Sequence, residues 1–210
     1  MASIPGTKYI LALEGDVLLQ LWHNNARTEF LVSSQVLCIA SPVFQRMFSR
    51  SSRFKEALEL NDHRRSEPLK LVLEEDDPDA IHAMHTILSI LHHRPMTVSE
   101  RISFKEAVQI ALLCDKWDFL DAIYIWVLMW NVNAIILHNR DPTSTLTDRL
   151  FIAWVFHLGA IFTDTTIALA AIGYIDANSV FVLPQQEHSK ATIPESVSGK
   201  FPPNYRLRRS

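Results

Sequence analysis

The chain carries nine histidines, and three of them share a spacing that could do chemistry. His82, His85 and either His92 or His93 are three and then seven or eight positions apart, which on a helix places them along one edge. Two imidazoles at i and i+3 can ligate a metal ion, and a metal-dependent enzyme is what such an edge would serve. A working site needs more ligands and an oriented outer shell, and neither a cysteine partner nor an H-E-x-x-H run lies nearby. A solvated helix edge without metal or other cofactor is therefore the expectation. Glu74 to Asp79 holds carboxylates at every position except Pro78, but crowding on an exposed run supplies no burial to separate their pKa values for acid/base work. Their expected role is to neutralise the positive end of the helix that follows. No G-x-S-x-G is present, neither cysteine has a base beside it, and His138-Asn139-Arg140-Asp141 lacks the other parts of a kinase. The expectation is a protein that is not an enzyme.

Composition narrows the classes further. Among 210 residues there are 5 glycines, where about 15 would be ordinary at roughly 7% usage. Phosphate cradles and dinucleotide folds need glycines at fixed spacing, so no small-molecule substrate of that kind is expected. The net charge is −3. Residues 185 to 210 hold five Lys/Arg against two Glu, which leaves a mildly acidic body without the clustered cations that nucleic acid requires. Arg206, Arg208 and Arg209 are expected to be a solvated end. The cysteines, Cys38 and Cys114, lie in apolar runs and read as buried free thiols of a reducing compartment. No signal-peptide pattern opens the chain, so the cytoplasm or nucleus is expected. The apolar stretches Leu120–Leu137 and Phe151–Ile175 are long, but Asp121, Asn131, Asn133 and Asp164 interrupt them, and buried helices rather than membrane spans are expected. The five tryptophans mostly sit within apolar strand or helix patterns, and core packing is their expected role.

The elements that must position these residues follow from periodicity and caps. Asp16 to Trp22 alternates as a strand, His23 to Arg27 is turn chemistry, and Thr28 to Val32 completes a hairpin. A short helix over Gln35–Ala40 follows, then Ser41-Pro42 as an N-cap with Pro at the first helical position, opening a helix through Val43, Phe44, Met47 and Phe48. Residues 49 to 68 read as an exposed loop anchored by Phe54 and Leu58. Leu69 to Leu73 alternates as a third strand, and Asp77-Pro78 starts a helix with Ile81, Met84, Leu88 and Leu91 at helical spacing. Ser103 with Glu106, and Thr145 with Asp148, carry capping-box signals. A helix runs from Leu120 to about Trp130, and Asp164 is expected to cap a last helix ending near Gly173. From Pro184 onward the composition reads as a disordered basic tail.

Taken together, Gly15-Asp16-Val17, Phe30-Leu31-Val32-Ser33-Ser34, Val36-Leu37-x-x-Ala40-Ser41-Pro42-Val43-Phe44-x-x-Met47-Phe48 and Phe54-Lys55-Glu56 resemble the BTB/POZ domain, especially its fungal branch. The resemblance spans residues 15 to about 120. It implies an α+β fold with a small three-stranded sheet flanked by a helical cluster, preceded by a lead over 1–14. Helices over 121–183 then form an extension and 184–210 the tail. It further implies a protein–protein interaction module. Self-association through Val36, Leu37 and Ile39 would give a homodimer, and Met47, Phe48, Phe54 and Glu56 would meet protein partners. Members that recruit a cullin scaffold of ubiquitin ligases use a hydrophobic-x-Glu motif after the M-F segment, which Phe54-Lys55-Glu56 matches. The chain departs from many animal members in having Ser33-Ser34 where they carry His-Lys, and residues 1 to 14 leave little room for an exchanged N-terminal helix and strand.

Overall fold

A computed structural model describes residues 6–23, 26–62, 65–73, 77–139, 145–172, 174–175 and 181–182. Residues 74–76 of the acidic run, Arg140-Asp141 and the tail expected from 184 onward lie outside the described residues. The chain is α+β, and it divides into two compact units. The first takes the described residues up to Ile102 together with Leu113–Trp130, and the second takes Ser103–Leu112 and the described residues from Asn131 onward. The helix over Leu120–Met129 falls within the first unit.

In the first unit, β2 (Val17–His23) and β3 (Ala26–Val32) form the expected antiparallel hairpin, and β4 (Leu69–Leu73) adds parallel to β2. Strand alternation puts Val17, Leu19 and Leu21 on one face, opposite Val32 and Phe30 on one side and Leu69, Leu71 and Leu73 on the other. All of these are buried, and each large side chain taken from water contributes about 1.5–3 kcal/mol. The sheet has four strands rather than three. β1 (Thr7–Ile10), inside the expected lead, pairs parallel to β3 and makes the order β1-β3-β2-β4. Its four residues are all exposed, so no buried alternation marks it in sequence. What holds it is a parallel ladder, the Tyr9 ring stacked 5.2 Å from Phe30, and Leu11 buried just beyond.

Gly15 sits where a side chain cannot. A Cβ there would lie 2.8 Å from both Leu31 Cγ and the Val32 carbonyl oxygen, so the chain enters β2 pressed against β3. Asp16 then reaches forward to α1 (Ser34–Ala40). Its carboxylate accepts the Ser34 N–H at 2.7 Å and the Ser34 hydroxyl at 2.6 Å. Ser33, the residue at the cap position, makes no side-chain cap bond, so Asp16 caps α1 from another element.

Helix α2 (Pro42–Phe48) starts as expected, with Ser41 accepting the Phe44 N–H at 3.1 Å and Pro42 at the first position. The segment 49–68 is not all loop: α3 (Lys55–Leu60) lies within it. Its anchor is Ala57, 2% exposed, whereas Phe54 and Leu58 face outward, which reverses their expected role. Helix α4 (Pro78–Leu91) is capped by Asp77 through the Asp79 N–H and buries Met84, Leu88 and Leu91. A single 3-10 turn, Pro95–Thr97, follows. Helix α5 (Phe104–Trp117) opens with the reciprocal Ser103–Glu106 box, at 2.7 and 3.2 Å. Helix α6 (Leu120–Met129) buries Ile123 and Val127, and Trp130 after it donates its ring N–H to the Ser99 carbonyl at 2.9 Å.

In the second unit, α7 (Val132–His138) begins at Asn131, whose φ of 51° ends the preceding helix and starts a new one. Helix α8 (Leu146–Val155) has the complete Thr145–Asp148 capping box. Helix α9 (Gly159–Ile172) starts earlier than expected: Asp164 lies inside it and does not cap it. A two-residue pairing of β5 (Tyr174–Ile175) with β6 (Phe181–Val182) closes the described elements. Left-handed backbone at His93, Asp118, Asn131 and His157 uses the non-glycine types that tolerate it best, which relates to the scarcity of glycine. No single helix among the described residues is long and apolar enough to cross a membrane.

Candidate partner-binding site

The corner between α1 and α2 is built around Ser41, which is fully buried. Its hydroxyl accepts from Phe44 and donates to the Trp117 carbonyl, while its own N–H closes α1 on the Leu37 carbonyl at 2.9 Å. One small polar residue thus joins two helix ends to the residue that finishes α5. Below it, Phe44 stacks on Trp117 at 4.8 Å and Phe119 at 5.9 Å, with Phe48 5.6 Å away. The expected site residues separate on this frame. Leu37 and Phe48 point into the core at 0% and 5% exposure, so they hold the corner and offer no surface. Val36 and Met47 are half-buried, and Ile39 stands out at 88% exposed. Cys38 donates weakly to the Phe44 carbonyl, and burial followed by the nearby Asp16 charge pushes its thiol pKa up, so it stays protonated. Cys114 is buried, and burial, then Asp115 and Asp118, push its thiol up as well.

The connection after α2 turns on serines: Ser52 N–H donates to the Ser49 carbonyl at 2.9 Å, and Phe54 N–H to the Ser52 hydroxyl at 3.2 Å. Phe54 is the N-cap of α3, with extended backbone and a carbonyl that accepts from Ala57 and Leu58. Its ring faces outward, at 59% exposed, and Leu58 one turn on is 66% exposed. Glu56 is half-exposed, and Lys55 pairs with Glu59 at 3.3 Å on the surface. The structure therefore presents Phe54, Glu56 and Leu58 on one short element. Leu58 reads from sequence as an anchor, and only the burial of Ala57 reveals it as surface. A second exposed apolar set, Tyr124, Ile125, Leu128 and Met129, lies on α6; its signal is a helix apolar on every side.

Two members of the histidine edge, His85 and His92, prove to be packing, while His82 and His93 are exposed. His85 lies 4.4 Å from the Tyr9 ring and 6.1 Å from Phe30, making a three-ring contact between α4, β1 and β3. His92 caps α4, with Nδ1 2.8 Å from the Leu88 carbonyl and Nε2 accepting the Ser33 N–H at 3.1 Å. Burial lowers the pKa of both, assisted at His85 by His82; at His92, Arg94 and His93 lower it and the Leu88 carbonyl opposes. Among the described residues no group of three or more His, Cys, Asp or Glu side chains is placed to hold a metal ion. Neither a protein-family model nor a curated protein sequence matches the chain.

Proposed function

We propose that the chain is a non-enzymatic protein–protein interaction module of BTB/POZ type, which self-associates through α1 and recruits partner proteins through α3, in the cytoplasm or nucleus. The observation that carries the reading is Ile39: a large apolar side chain 88% exposed on a helix whose neighbour Leu37 is fully buried. Burying such a side chain against a second copy recovers about 1.5–3 kcal/mol, enough to make it an interface anchor. Half-buried Val36 flanks it one turn earlier. Light scattering coupled to gel filtration tests this: wild type runs as a dimer at tens of micromolar and Ile39→Asp as a monomer. A strictly monomeric wild type overturns self-association.

The exposed Phe54 beside Glu56 supports a second reading, an adaptor for a cullin-based ubiquitin ligase. An outward aromatic flanked by a carboxylate has the makeup of a hot spot. Under that reading Phe54→Ala with Glu56→Ala loses cullin capture in pull-down while its thermal melt stays near that of wild type. Equal capture by wild type and the double variant refutes it.

A further inference from the structure

We infer that His92 is a proton-sensing pin for the start of α1: its neutral ring holds the Ser33 N–H, and protonation of that ring releases it. The geometry assigns the tautomer. Nε2 accepts from a backbone N–H, so it carries no proton, and Nδ1 must carry the proton it donates to the Leu88 carbonyl. Both ring nitrogens are thus committed, one along α4 and one across to α1, 59 residues away in sequence. Adding a proton to Nε2 turns an acceptor into a donor facing a second donor, and the bond between the two elements is lost while the bond to Leu88 survives.

The surroundings make the neutral form the native one. On its own stretch of chain His92 meets Arg94 and His93, both of which disfavour its cationic form, and Arg94 is itself held in place by donating to the Leu11 carbonyl at 3.0 Å. From α1 it meets the Ser33 backbone, and the carboxylate bound at that end, Asp16, is engaged by the Ser34 N–H and hydroxyl. Burial lowers the pKa in the same sense. Two ties therefore hold the first turn of α1: Asp16 on Ser34 and His92 on Ser33. Acid removes the second. Ser33 has no side-chain cap bond to take its place. This inference stands apart from the proposed partner function, since it concerns only the anchoring of a helix.

Nuclear magnetic resonance on the full chain tests it. Long-range nitrogen–proton spectra of His92 near neutral pH are expected to show the proton on Nδ1. Protection factors for the Ser33 and Leu37 amides, corrected for intrinsic exchange, should fall about tenfold as His92 titrates, the change expected for one lost hydrogen bond. His92→Gln keeps an acceptor that does not titrate, and its Ser33 protection should be independent of pH over the same range. A neutral His92 with its proton on Nε2 overturns the inference. So does wild-type Ser33 protection that stays constant through the His92 titration, and both readouts need no variant.

Discussion

Replacing Asp16 by Ala removes the cap that α1 borrows from the start of β2, and the loss can be worked from two distances. The carboxylate accepts from the Ser34 N–H at 2.7 Å and from its hydroxyl at 2.6 Å, and Ser34 is 6% exposed, so both donors lose their acceptor at a largely buried residue. A hydrogen bond to a charged group contributes about 1.5–3 kcal/mol, and a helix cap about 1–2 kcal/mol. The two bonds share one acceptor group that is half-buried, so they do not add in full, and Asp16→Ala should cost about 2–3 kcal/mol. With a urea slope of about 2 kcal/mol per molar, the unfolding midpoint by circular dichroism falls by roughly 1–1.5 M. Asp16→Asn keeps an acceptor for the N–H and should lose about half as much. Ser34→Ala combined with Asp16→Ala should show a coupling of about 1 kcal/mol in a double-mutant cycle. A loss below about 0.5 kcal/mol for Asp16→Ala, or strict additivity with Ser34→Ala, would show that Asp16 does not cap α1.

Other perturbations have outcomes as definite. Gly15→Ala places a Cβ 2.8 Å from the Val32 carbonyl oxygen, and the strand must shift, so denaturant unfolding should show a loss of about 1–3 kcal/mol. Ser41→Ala strands the Phe44 N–H and the Trp117 carbonyl in a fully buried corner, costing about 2 kcal/mol by the same measurement. Because burial lowers the pKa of His85 and His92, the unfolded chain binds protons that the folded chain refuses. Stability is therefore complete above the unfolded value of about 6.5 and declines as pH falls from there through the lower folded values, and urea midpoints taken across that range should fall accordingly. Replacing His85 with Phe, which keeps the ring contact and removes the charge, should shallow that decline.

How much the sequence discloses depends on whether a residue's partner is near in the chain. The β2–β3 hairpin, β4, and the caps at Ser41, Asp77, Ser103 and Thr145 are local patterns, each legible within a few residues. β1 is not legible, since its four exposed residues follow no buried period and its strand partner begins at Thr28. Helix α3 hides for a related reason: its only buried residue is a small one, Ala57, while Leu58 faces water and Leu60 is only half-buried. At α9, Asp164 imitates a cap, but the chain has already turned at left-handed His157 and begun the helix at Gly159. The outward set at Ile39 and Phe54, with half-exposed Glu56, is visible in sequence as residue types. Which members turn outward is decided by packing, which takes Leu37 and Phe48 inward. The histidine edge shows the opposite limit, because spacing predicts a shared helix edge and says nothing of Tyr9 and Ser33, which give His85 and His92 their roles.

The order β1-β3-β2-β4 also sets a sequence of events in time. The hairpin joins neighbours in the chain and can close within microseconds. Joining Leu69 to Val17 instead requires the long intervening segment, with α1, α2 and α3, to be gathered first, and the entropy of that closure is spent before any β4 contact repays it. β4 is therefore the late arrival of the sheet. Weakening its packing, as Leu71→Ala would, should quicken unfolding while leaving the refolding rate nearly as it was.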